Sequence, residues 1–189
     1  MNILKTLSKI SLMGAFLLLT TSVFAQTNTT TQALTMGIPE VLLINAVDST
    51  GVTAAVSLQL TTNVAGTAIS GGTGASYAQV SSIVASGQTR KIQASYDQIP
   101  AGTTLDVTGD VPTSSNGDGN FGSTANTVTL STTAQDIFTG VGSCYTGTAA
   151  KDGYRLNWKW NASTAGTYAN IVATTGSTTI VTLTITAGS

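Results

Sequence analysis

Asn116, Asp118 and Asn120 alternate with Gly117 and Gly119 in the stretch SSNGDGNFG, Ser114 to Gly122. Carboxylate and amide oxygens at that spacing are the donors a calcium ion takes, and Asp110 could add another from a neighbouring loop. In a helix-flanked calcium loop the sharp-turn position must be Gly and the bidentate position Glu. Here those positions are Phe121 and Thr127. The same composition suits a tight hairpin loop, because Gly, Asn and Asp tolerate left-handed backbone. The two mismatches favour the loop, so no cofactor is expected. Calcium at Asp110, Asn116, Asp118 and Asn120 is the alternative.

The second pattern with chemical content is YRLNWKWN, Tyr154 to Asn161. As a strand it sets Tyr154, Leu156, Trp158 and Trp160 on one face and Arg155, Asn157, Lys159 and Asn161 on the other. The aromatic face is either one wall of a core or a platform on which sugar rings stack. The polarity of the opposite face favours the core, because one of the two faces must be buried. Trp160, near the strand end, is best placed to reach the surface. Tyr154, Trp158 and Trp160 are therefore the candidate ligand-binding residues.

Other chemistries lack their residues. The chain has no His and one Cys, so neither a zinc site nor a Ser-His-Asp triad can be assembled. Cys144 has no imidazole to activate it and suits a small buried hydrophobe. Glu40 is the one glutamate, and Asp48, Asp97, Asp110, Asp118 and Asp152 fall in apparent turns, so no carboxylate pair across a cleft is evident. No catalytic residue is assigned, and an enzyme is not expected.

The elements that must position these residues are strands. Thr, Ser, Gly, Val and Ala dominate, only 8% of residues are charged, and β-branched side chains favour extended backbone. Apolar and polar residues alternate at Val56–Leu60, Ile92–Tyr96, Val128–Leu130 and Val181–Ile185. Further strands are predicted at Leu34–Ile38, Val41–Val47, Tyr77–Val84, Thr104–Thr108, Ala134–Phe138 and Tyr168–Ala173. Turns are expected at Gly71–Gly74, Ile99–Gly102 and Lys151–Gly153. Many short strands without a convincing amphipathic helix predict an antiparallel β-sandwich over residues 33–189, with a closed β-barrel as the alternative.

The first 25 residues have the order of a secretory signal: basic Lys5 and Lys9, an apolar run from Ser11 to Phe24, and Val23-Phe24-Ala25 as a small-residue cleavage pattern. Thr20, Thr21 and Ser22 interrupt the run, which falls short of the roughly 20 apolar residues of a membrane span. Export to the cell surface or medium is expected, with the periplasm as the alternative and no stable membrane anchor after cleavage. Removing 25 of 189 residues leaves 164, enough for one domain with a core, preceded by a Thr-rich tether at 26–32. Five basic side chains then face eight acidic ones. They are too few and too dispersed for a phosphate-binding face, so nucleic acid is not an expected partner.

The segments LTMGIPEVLLI (Leu34 to Ile44), VTLSTTAQDIFTGVGSCYTG (Val128 to Gly147) and TIVTLTIT (Thr179 to Thr186) resemble uncharacterised small exported all-β proteins of Bacteroidota type. In architecture the chain is also similar to bacterial pilus and coat subunits, which implies an immunoglobulin-like sandwich and a terminal strand exchanged between neighbours. It departs from that pattern in having no disulfide pair and a polar segment from Gln26 to Gln32, while Leu34, Met36 and Ile38 keep an apolar alternation. The resulting expectation is a structural or adhesive surface protein acting on itself or on other surface proteins. The alternative is a carbohydrate-binding module with a glycan partner.

Overall fold

A computed structural model describes residues 29–53, 55–62, 64–113, 116–162 and 168–188. The signal sequence and the start of the tether lie outside the described residues. The chain divides into two units, 1–37 and 38–189. In the first, residues 29–37 carry no strand or helix. Among its described residues the second holds eleven strands: β1 Val41–Val47, β2 Gly72–Ile83, β3 Arg90–Tyr96, β4 Thr103–Asp110, β5 Asp118–Gly119, β6 Ser123–Thr124, β7 Val128–Thr129, β8 Gln135–Val141, β9 Cys144–Tyr145, β10 Tyr154–Ala162 and β11 Val181–Ala187. One turn of 3-10 helix, Tyr168–Asn170, precedes the last strand.

The strands form two antiparallel sheets packed as a sandwich. The seven-stranded sheet runs β5-β9-β2-β10-β4-β7, with β1 on the other side of β2, and the four-stranded sheet runs β11-β3-β8-β6. Each sheet ends in edge strands among the described residues, so the closed-barrel alternative is not the fold.

Alternation determines what each strand buries. On β10, Tyr154, Leu156 and Trp158 are buried while Arg155 and Lys159 are exposed; on β4, Thr103, Leu105, Val107 and Gly109 point inward in the same rhythm. The facing sheet supplies Ile92, Ala94, Ile137, Phe138, Val141 and Ile185. Full burial of an aliphatic side chain contributes about 1.5 to 3 kcal/mol. Ile137 and Phe138 are adjacent in sequence yet both buried. The β3–β8 register shifts around Ile92, and such a bulge places two neighbours on one side of the ladder.

The predicted strands at Val41–Val47 and Val181–Ile185 form, whereas four other expectations need correction. Leu34–Ile38 forms no strand, and its alternating Leu34, Met36 and Ile38 are exposed, because an extended segment without a neighbour leaves its ladder groups unpaired. Tyr168–Ala173 gives the 3-10 turn, in keeping with the poor strand preference of Ala169 and Asn170. Val56–Leu60 keeps its alternation but joins no ladder beyond the Thr61–Ser70 bridge.

Gly71–Gly74 runs into the start of β2 instead of turning. The reason is steric. Gly72 pairs with Trp160 and Gly74 with Trp158 across the β2–β10 ladder. A Cβ on Gly72 would strike the backbone of Gln59, and one on Gly74 would meet Val56 and Leu58. Glycine is used here for close approach, so its presence does not break the strand.

Trp158→Ala is expected to destabilise the fold by about 3 to 5 kcal/mol, the range for truncating a buried large aromatic. Lys159→Ala, on the solvent face, is expected to stay within about 0.5 kcal/mol. Urea unfolding of both variants checks the assignment, and equal losses would reverse it.

Candidate functional site

The structure separates the three candidate aromatic residues. Tyr154 is wholly buried, donates its hydroxyl to the Phe121 carbonyl at 3.0 Å, and packs edge-on to Phe121 and tilted against Phe138. Trp158 is buried, and its Nε1 donates to Ser76 Oγ at 2.8 Å. Their ring faces are taken up by the core and form no flat platform at the surface. Trp160 is half-buried, and its buried Nε1 has no hydrogen-bond partner among the described residues.

Trp158 and Trp160 form part of the wall of a cleft of about 370 Å3. Val56 and Leu58 reach it from the irregular segment that covers Gly72 and Gly74, Leu105 from β4, and Val181 and Leu183 from β11, with Ile99 beside them. Thr53, Ser76 and Ser177–Thr179 contribute hydroxyls, and no described lining residue is charged. Sequence reasoning picked out the two tryptophans but missed the cleft. Its signal was the alternation at Val56 and Leu58 together with the separate glycine run at 71–74, features that look unrelated until the chain folds.

The proposed oxygen ligands lie on separate elements and are engaged in local bonds. Asp110 Oδ2 accepts from Asn157 Nδ2 at 2.9 Å, and Asn116 Nδ2 donates to Asp152 Oδ1 at 3.0 Å. Asp118 Oδ1 accepts from the Gly119 amide at 2.7 Å, and Asn120 Oδ1 accepts from the Gly122 amide at 2.9 Å. Asp110 and Asn116 line a second surface depression together with Asp152; Asp118 and Asn120 are not part of its lining. Among the described residues, no group of three or more His, Cys, Asp or Glu side chains is arranged to hold a metal ion.

Within the loop, Asp118 and Gly119 form β5 and pair with Tyr145 and Cys144 of β9. Gly119 has φ +110°, and a Cβ there would strike Ser143 and Cys144. The glycines thus let this segment approach β9. Cys144 is buried, and burial pushes its thiol pKa up, with the neighbouring Tyr154 hydroxyl acting in the opposite direction. Burial also raises the Tyr154 phenol, with Cys144 adding to the effect. A thiol kept protonated is a poor nucleophile.

The remaining feature is an edge. β11 forms ladder bonds only with β3, and its other side is unpaired among the described residues. Val181–Ala187 contains no charged residue and no Pro, Thr182 and Thr184 are exposed, and Leu183 and Ile185 face inward. β1 runs beside it at the edge of the other sheet, likewise uncharged, with Leu42 and Leu43 exposed. Glu40, just before β1, accepts from Arg90 of β3 at 2.5 Å, linking the two sheets near this edge.

No protein-family model matches the chain, and no curated protein is significantly similar to it in sequence.

Millimolar calcium is expected to leave the melting temperature unchanged, since Asp110, Asp118 and Asn120 already accept through side-chain oxygens and Asn116 is tied to Asp152 through its amide nitrogen. A ligand specific for the native state must raise stability as its concentration rises. A rise of several degrees that Asp118→Ala removes would restore the calcium reading.

Proposed function

We propose that this chain is an exported structural or adhesive surface protein that acts by self-association or by docking onto other surface proteins. The observation that carries this reading is the unpaired, uncharged edge of β11. Edge strands offer a row of free N–H and C=O groups to an incoming strand, and natural sheets commonly guard them with Lys, Pro or a bulge. Here those guards are missing from seven consecutive residues. Strand addition at such an edge draws affinity from main-chain hydrogen bonds and specificity from alternate side chains.

Two features of the sequence agree with the proposal. The basic, apolar and small-residue order of the first 25 residues points to export. The resemblance to exported all-β proteins of Bacteroidota type, and in architecture to immunoglobulin-like pilus and coat subunits, points to a surface role. The alternation at Leu34, Met36 and Ile38 is consistent with apolar contacts to a neighbouring chain.

Thr182→Lys tests the proposal at one residue. Thr182 is exposed on the outer face of β11, opposite Ser95, so a lysine there should leave the fold intact and disfavour an added strand. Sedimentation over a wide concentration range should show association of the wild type that weakens in the variant, with circular dichroism unchanged. A wild type that stays monomeric throughout and binds no surface protein overturns the proposal. Polysaccharide binding lost on Trp160→Ala would replace it with the carbohydrate-binding reading.

A further inference from the structure

The cleft beside Trp160 is partly open to solvent, with Thr53, Ser177 and Thr178 exposed at its wall, and it measures about 370 Å3. Its size falls at the small end of the range for ligand pockets, roughly 300 to 1,000 Å3. An apolar occupant would release water from the wall and gain dispersion contacts with it.

We infer that the cleft binds a small uncharged amphiphile: an alkyl body against Trp160, Leu58, Leu105 and Leu183, with a hydroxyl head among the hydroxyls of the same cleft. Two observations select this class. First, the described lining contains no Asp, Glu, Lys or Arg, so a carboxylate or ammonium would lose its water without gaining a counter-charge. Second, the polar groups in the wall are chiefly the hydroxyls of Thr53, Ser76 and Ser177–Thr179. A hydroxyl both donates and accepts, so these side chains can satisfy an alcohol at either role. Gly72 and Gly74 let Val56 and Leu58 approach the sheet closely beside the two indoles, and those two side chains form part of the cleft wall.

The chain contains two tryptophans, and both line the cleft, so its own fluorescence reports occupancy. Titration would use 1-octanol, octanoate and octylammonium, at a protein concentration where sedimentation shows a single species. With 1-octanol the emission should shift to the blue and saturate, and Trp160→Phe should remove most of that change. Both ions should bind at least about tenfold more weakly, a difference of about 1.4 kcal/mol. Val56→Lys, which places a cation in the wall outside any strand, should invert the preference by losing octanol and gaining octanoate. If that variant does not fold, Thr53→Lys, at an exposed lining position, should make the same gain. The inference is overturned by no saturable response to octanol, by equal affinity for octanol and octanoate in the wild type, or by failure of a folded lysine variant to acquire octanoate.

Discussion

Side-chain volume is distributed unevenly across the β2–β10 ladder, and much of the fold depends on that. β10 presents Trp158 and Trp160 where β2 presents Gly74 and Gly72. Two indoles beside two ordinary side chains would crowd one sheet face. Beside two glycines they leave room for Val56, Leu58 and the backbone of Gln59 to lie over the sheet. The same device recurs one ladder away. Gly109 of β4 pairs with Leu156, and the Phe138 ring from the opposite sheet fills the position its Cβ would take. Close packing of this kind converts individually small dispersion contacts into a specific arrangement of the two sheets.

Centre and edge differ in consequence. β2, β10 and β4 each have strand partners on both sides over part or all of their length, and β10 and β4 bury alternate residues. Among the described residues, β1 and β11 are paired on one side only and present uncharged outer faces. The Arg90–Glu40 pair joins the strand beside β11 to the residue before β1. An ion pair with one exposed partner contributes little to stability, about 0 to 1 kcal/mol. The pair lies near where β1 and β11 run beside one another, on one side of the sandwich. The proposed association and the proposed small-molecule site therefore share elements, since Val181 and Leu183 belong both to β11 and to the cleft.

Much of the fold was legible because its signals are local. Strict alternation identified the buried and exposed faces of β10 and β11, and the bounds of β1 agree with the run Val41–Val47. β5, β6 and β9 escaped because two residues carry no periodicity. The glycine run at 71–74 was misread because glycine marks both turns and close approaches, and only the distant Gln59 and Trp160 distinguish the two. Leu34–Ile38 shows the converse limit: alternation reports which face a strand would bury, but a ladder also requires a neighbour. The cleft draws on at least five segments far apart in sequence, so no single stretch announced it. The tryptophans were identifiable as candidates, but whether their faces were open depended on packing that alternation does not encode.

The pairing of large side chains with glycine is tested most directly by Gly72→Ala, with Gly37→Ala as the comparison. At Gly72 the added methyl group meets the Gln59 backbone, which cannot swing aside as a side-chain end can; at Gly37 no atom lies within 4 Å. Overpacking of a fitted interior costs about 1 to 3 kcal/mol, whereas a surface change stays within about 0.5 kcal/mol. Urea unfolding should therefore show a loss in that larger range for Gly72→Ala and almost none for Gly37→Ala. A Gly72→Ala variant as stable as the wild type would mean that the chain does not lie over β2 as described, and the account of both the core and the cleft would fail with it.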